Sequence, residues 1–191
     1  MNDNRFLNAA AIQKALGFLP HPGLLLTTSA SAVSNVMTIG WAAFGVLWSR
    51  PVCLVMVRYT RYTYKLIEEA GAFTVNVPSP DMERVMDFCG SHSGRDVDKI
   101  HELRLAASPA KMVLGIILDD CALTYECRVV GKYDTLPKML AGRETRNSMS
   151  ARNGEARRAP FFGVGLYRNL SSRRGQSKSM ISWMLIFRRH G

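Results

Sequence analysis

Arg58-Tyr-Thr-Arg-Tyr-Thr-Tyr-Lys-Leu-Ile-Glu-Glu-Ala-Gly71, followed by Phe73-Thr-Val-Asn-Val77, is the stretch whose reading decides the fold. It opens polar, with two arginines and two threonines ahead of any apolar periodicity. From Thr63 to Ala70 the spacing predicts a helix with Leu66, Ile67 and Ala70 on one face, ended by Gly71. Phe73 to Val77 alternates apolar and polar and predicts a half-buried strand. A polar turn that opens a helix leaves backbone N–H groups free at the positive end of the helix dipole, where an anion is favoured. A second segment, Asp87-Phe-Cys-Gly-Ser-His-Ser-Gly-Arg-Asp-Val-Asp-Lys-Ile100, repeats that chemistry with hydroxyls, glycines and cations. Together the two predict a phosphorylated ligand.

Working outward, residues 8–17 read as a short helix that Pro20 and Pro22 stop. Gly23 to Thr28 is an apolar run and reads as a strand. Asn35 to Trp48 reads as another, with a bulge or a close backbone approach at Gly40 or Gly45. Val52 to Val57 is uniformly apolar, as a strand buried on both faces would be. Ser79-Pro80-Asp81 carries helix-start chemistry and predicts a helix to about Phe88. A further helix is expected near Asp96, with Val97, Ile100 and Leu103 on one side, and Leu123 to Val129 alternates as a strand. Strands dominate and helices are inserted between them, without the even alternation of a doubly wound sheet. The fold class expected is mainly β with inserted helices, as a barrel or sandwich.

The 191 residues suit one domain, and the net charge of +10 suggests nucleic acid or an anionic surface until its distribution is read. Residues 1–137 hold 13 Lys and Arg against 13 Asp and Glu, whereas 138–191 hold 12 against Glu144 and Glu155 alone. The basicity therefore belongs to the tail. Cys53, Cys89, Cys121 and Cys127 form no CxxC pair and no metal-ligand spacing, so a reduced, cytoplasmic chain without metal is expected. The N-terminal stretch lacks the pattern of a secretory signal, and no apolar run approaches the ~20 residues that span a bilayer. Gly163-Val-Gly165 is only half of a dinucleotide fingerprint, and no P-loop occurs.

The body resembles the flavin reductase-like family, the FMN-binding split barrels that include the flavoredoxins. The resemblance rests on Leu19-Pro20, Leu24 to Thr28, Asn35-Val-Met-Thr-Ile-Gly-Trp41, Arg61 to Glu69 with Phe73 to Asn76, and Asp87 to Gly90 with Ser93 to Lys99. It implies an FMN-binding split β-barrel of Greek-key type over residues 1–137, and FMN as the cofactor. Asn35, Met37 and Thr38 would sit beside the isoalloxazine ring and ribityl chain. Arg58, Thr60, Arg61, Tyr62 and Thr63 would cradle the phosphate, with Arg58 and Thr63 the preferred pair. Ser93, Gly94, Arg95 and Lys99 would complete the pocket, and Asp96 and Asp98 would cap the next helix or hold the cations. The bland readings are a strand-end turn, a basic helix-capping loop and a self-paired charged loop. Trp41 and Cys89 read as core or pocket wall, and His21 and His92 as loop residues.

The resemblance implies a flavin-dependent oxidoreductase that draws on NADH, NADPH or a donor protein, and a homodimer with pockets at its interface. No acid, base or nucleophile is assigned, because hydride transfer to a flavin depends on proximity and orientation. The alternative is a non-catalytic FMN-binding or storage protein, which needs the same pocket. A third reading, nucleic-acid or anionic-surface binding by the basic tail, has charge but no recognisable motif. After Pro137 the resemblance stops, although the family requires a further barrel strand. Residues 138–191 read either as a stretch altered by a shift of frame or as a divergent end whose 160–167 island takes that strand's place. The Met180 to Phe187 island is a second candidate strand.

Overall fold

The structure is a computed structural model and describes residues 9–47, 50–135 and 159–171. Helix α1 (Ala9–Leu16) leads into β1 (Leu24–Ala30) and β2 (Val33–Ile39). These two strands form a hairpin whose loop residues, Ser31 and Ala32, hold φ of 48° and 63°. That left-handed pair is what a two-residue hairpin turn requires, although the sequence offers neither Asn nor Gly there. The strand expected over 35–48 is in fact two, because β2 ends at Ile39 and β3 runs from Ala42 to Leu47. Gly40 separates them at a close approach: a Cβ there would lie 2.7 Å from the Pro20 carbonyl oxygen. Gly45 has open space instead.

Strand β4 (Arg50–Met56) is followed by α2 (Tyr62–Ala70), which ends at Gly71 in the left-handed conformation, as the sequence predicts. In β5 (Ala72–Val77) every residue is buried, not every second one. Its polar face is covered by a hairpin the sequence reading did not find, β6 (Ala107–Pro109) and β7 (Ile116–Leu118). Thr74 Oγ1 donates to the Ile116 carbonyl at 2.9 Å, and Asn76 Oδ1 accepts from Leu118 N–H at 3.1 Å. Polar alternation here reports satisfied burial, since each buried group has a partner.

Helix α3 covers Glu83–Ser91, three residues later than the expected start at Pro80. Ser79 caps nothing; its hydroxyl donates to the Asp120 carbonyl at 2.7 Å, and Ser79 to Met82 form a turn. Helix α4 is a single turn, Lys99–Glu102, and Asp98 accepts from the N–H groups of Ile100 and His101 at 3.1 Å each. Strands β8 (Leu123–Val129), β9 (Lys132–Thr135) and β10 (Ala159–Ser171) follow.

Eight strands make one antiparallel sheet in the order β2-β1-β5-β8-β10-β4-β3, with β9 beside β10. β2 and β3 stand at its two ends, and the barrel is split, not closed. β10 is central: it pairs Ser171 with Leu123 at one end and Phe161 with Met56 at the other. The 160–167 island lies within β10, as in the reading of a divergent end whose island takes the further strand's place, and residues 159–171 belong to the sheet of the body. The boundary drawn at 137 does not separate them from it. The rest of the tail, with the Met180 to Phe187 island, lies outside the described residues.

Strand β1 divides the core. Leu24 and Leu26 face a cluster with Val55, Ile67, Phe73 and Tyr125, whereas Leu25 faces a second one with Val36, Met86 and Cys89. The first fills the split barrel and the second fixes α3 against the outside of β1 and β2. All four cysteines are buried and free. Among the described residues no helix is long and apolar enough to cross a membrane.

Candidate functional site

The site begins where β4 gives out. Val57 is still fully buried, so Arg58 is the first side chain to emerge beyond the strand. The chain then turns, Arg61 N–H donating to the Arg58 carbonyl at 2.9 Å, and enters α2. Arg61 is the N-cap residue but makes no side-chain cap hydrogen bond. The helix start is thus left for another acceptor, the arrangement that favours an anion. One turn in, Thr63 is buried and its Oγ1 accepts from Asn35 Nδ2 of β2 at 2.7 Å.

The second polar segment packs directly onto this pair. A Cβ on Gly94 would lie 2.1 Å from Asn35 Oδ1 and 3.0 Å from Tyr62 Cδ1, so only glycine lets the loop approach. The Ser93 carbonyl accepts from Asp96 and Val97 N–H at 3.1 Å each, which folds the loop into a compact turn. Arg95 N–H donates to Ser93 Oγ at 3.2 Å. The Arg95 guanidinium donates to the Thr60 carbonyl at 3.0 Å and lies 5.7 Å from the Tyr62 ring.

Lys99 lines the cavity from a buried position. Its side chain is buried, and its ammonium donates to the carbonyls of Cys89 at 3.2 Å and His92 at 3.1 Å. Burial pushes its pKa below the usual lysine value; Cys89 offsets this in part and the Arg61 charge adds to it. Lys99 therefore fixes the 89–92 backbone while leaving positive charge beside the cavity. Burial likewise pushes the Cys89 thiol up to about 11 against the pull of Lys99, so it is a protonated wall group.

These segments enclose a cavity of about 690 Å³. Eleven of the twelve residues singled out from the sequence line it: Asn35 and Met37 from β2, Arg58 to Thr63 without Tyr59, and Ser93, Gly94, Arg95 and Lys99. Thr38 does not; its hydroxyl donates to the Met86 carbonyl at 2.6 Å and faces an adjoining cavity of about 420 Å³. Met37, Arg58 and Arg61 border both cavities, so the two adjoin across these side chains. The smaller part is more apolar, with Trp41, Met56 and Pro20, and the Arg58 guanidinium lies 5.4 Å from the Trp41 ring.

Cys89, read from the sequence as core or pocket wall, lines the larger part together with Gly90 and His92, while Trp41 and His21 line the smaller. The first three precede Ser93 in the last turn of α3 and just beyond it, so the signal was continuity with the polar loop. The His92 ring stacks on Phe88 at 3.9 Å. Among the described residues, none that lines the larger cavity is acidic, and four are Arg or Lys. Asp98 is taken up as the α4 cap. Chemically the hollow offers charge-assisted hydrogen bonds for a dianion at one end and an apolar, aromatic surface at the other.

The flavin reductase like domain matches residues 16–143, well over half of the chain. The chain belongs to the flavin reductase-like family. Its fold is similar to the flavoredoxin of Methanosarcina acetivorans, with a TM-score of 0.60 and 26% identity over 80% of this chain and 69% of that one. The flavoredoxin of Desulfovibrio vulgaris (Miyazaki F) gives a TM-score of 0.61 at 23% identity, covering 80% and 70%. An FMN-binding protein from Thermus thermophilus with bound 1-cyclohex-2-enone gives 0.59 at 18% identity, covering 81% and 73%. By sequence, 101 residues are 33% identical to an uncharacterized protein of Archaeoglobus fulgidus; that stretch is 53% of this chain and 56% of that relative. This member of the flavin reductase-like family thus spans little more than half of that relative. Its cavity lies among the motifs through which it resembles the family.

Proposed function

We propose that the chain is an FMN-binding flavoprotein of the flavin reductase or flavoredoxin type. The observation that carries this reading is the wall at the open start of α2, where Arg58, Thr60, Arg61 and Thr63 border a cavity without acidic lining among the described residues. A partly buried dianionic phosphate is costly unless charge-assisted hydrogen bonds replace its water, and this wall offers the donors. Gly94 lets the 93–95 loop close onto Asn35 and Tyr62 and so brings Ser93 and Arg95 to the cavity wall. A volume of about 690 Å³ lies within the range of cofactor sites, ~300–1,000 Å³. The residues present therefore fit FMN.

When bound, the flavin supplies the hydride and electron-transfer chemistry. The residues of this chain bind and orient. Arg58 and Arg61 hold the phosphate, the Asn35–Thr63 hydrogen bond fixes the pocket floor, and Met37 and Trp41 offer apolar surface to planar rings. A reduced nicotinamide is the proposed diffusible donor, taken up at the more apolar end without a dinucleotide fingerprint. No side chain is needed as an acid or base at the reacting atoms. The test is to purify the full chain, load it with FMN, dialyse, and follow NADH and NADPH oxidation. A retained flavin band that either nucleotide bleaches supports the proposal. A chain that takes up no FMN overturns it, and a chain that retains FMN but is reduced by neither nucleotide is the flavin-binding protein without reductase activity.

A further inference from the structure

The larger cavity is bridged on its exposed side by one side chain that joins two loops far apart in sequence. Arg95 lies in the turn between α3 and α4, whereas Thr60 and Tyr62 flank the N-cap of α2, and all three line the cavity. The Arg95 guanidinium donates to the Thr60 carbonyl at 3.0 Å and lies 5.7 Å from the Tyr62 ring. Its base is held firmly. Gly94 packs against Asn35, and the Arg95 N–H is fixed on Ser93 Oγ at 3.2 Å. Arg95 itself is exposed, so the bridge is the solvent-facing closure of a pocket whose floor is buried.

We propose that Arg95 is a positioning residue that latches the cavity and sets how long a flavin stays, and is not a ligand of the phosphate. The proposal rests on the FMN reading above. The guanidinium is already engaged by the Thr60 carbonyl and the Tyr62 ring, which holds it across the two loops before any ligand enters. One charge-assisted hydrogen bond and one cation–π contact in an exposed setting open readily. The ligand leaves through that open state, so weakening the bridge raises the release rate in proportion to the open population.

Release of FMN and of riboflavin, which lacks the phosphate, is followed by flavin fluorescence in rapid-mixing experiments on the full chain. The variants are Arg95→Ala, Arg95→Lys and Tyr62→Leu. A latch predicts that Arg95→Ala releases both flavins about tenfold faster, equivalent to ~1.4 kcal/mol, and speeds their association as well, because the same bridge is closed in the flavin-free chain. Arg95→Lys should behave almost as Ala, because lysine lacks the planar fork that stacks on the ring. Tyr62→Leu should give an intermediate acceleration. Amide exchange at Asp96 and Val97 should also quicken in flavin-free Arg95→Ala. Weakened FMN binding with riboflavin release unchanged would make Arg95 a phosphate ligand and overturn the latch. Unchanged release of both flavins overturns it too, while leaving the FMN reading intact. A wild-type chain that binds neither flavin removes both.

Discussion

The cavity has a floor and a rim built on different physics. Asn35, Thr63 and Lys99 in the floor are buried, and each side chain makes a hydrogen bond within the protein. In the rim, Thr60, Arg61 and Arg95 are exposed, Arg58 is half-buried, and the charge is concentrated. The floor gives the hollow its shape and tolerates no change of volume. Under the proposed function the rim supplies the affinity for an anion, and its exposure tolerates motion. Substitutions in the two regions should therefore fail in different ways, the floor through stability and the rim through ligand discrimination.

The sharpest break in the floor is Gly94→Ala. Its Cβ would lie 2.1 Å from Asn35 Oδ1, so the 93–95 loop must move away. Overpacking of this kind costs ~1–3 kcal/mol, and a lower melting temperature together with lost flavin binding is expected. Glu126→Gln sharpens the comparison from outside the cavity. The buried Glu126 carboxylate accepts from the N–H groups of Lys111, Met112 and Val113 at 3.1, 2.5 and 3.3 Å. Losing its charge should cost ~1–3 kcal/mol in denaturant unfolding and leave flavin affinity unchanged. A matching loss of flavin affinity would show that the floor is not a local device.

Smaller still is Asp98→Ala, which removes the α4 cap beside Lys99 and should cost ~1 kcal/mol in the same assay. The least effect comes from Lys99→Met read against pH. The folded-state pKa of Lys99 lies below its ordinary 10.5, so the unfolded chain binds more protons between the two values. The Lys99 contribution to stability is fully present above 10.5 and is lost as pH falls through the folded value. Stability of the wild type minus Lys99→Met should thus rise as pH climbs toward 10.5. A flat difference would mean that the ammonium is not desolvated by the floor.

Most of the cavity was legible because its residues sit in two short polar segments with glycines and cations at helix starts, a local signal. What the sequence did not announce is tertiary. Trp41 looked like core, yet it is exposed at the turn after Gly40, where the close approach of Pro20 ends β2. Ser79-Pro80-Asp81 has helix-start chemistry, but the Asp120 carbonyl takes the Ser79 hydroxyl and α3 begins later. The alternation of β5 was read as a solvated face because β7, which covers it, is separated from it by about 40 residues and is three residues long. In the same way, the central place of β10 follows from pairing with β4 and β8, not from its own periodicity.

The measurement that bears most directly on a charged rim over a fixed floor is the ratio of FMN to riboflavin affinity in the wild type and in Arg58→Ala/Arg61→Ala. Charge-assisted hydrogen bonds are worth ~1.5–3 kcal/mol each, so the wild type should prefer FMN by about 100-fold or more. The double variant should lose most of that preference while its riboflavin affinity and melting temperature stay close to those of the wild type. Equal affinity for the two flavins in the wild type, or a preference that survives the double substitution, would contradict the account.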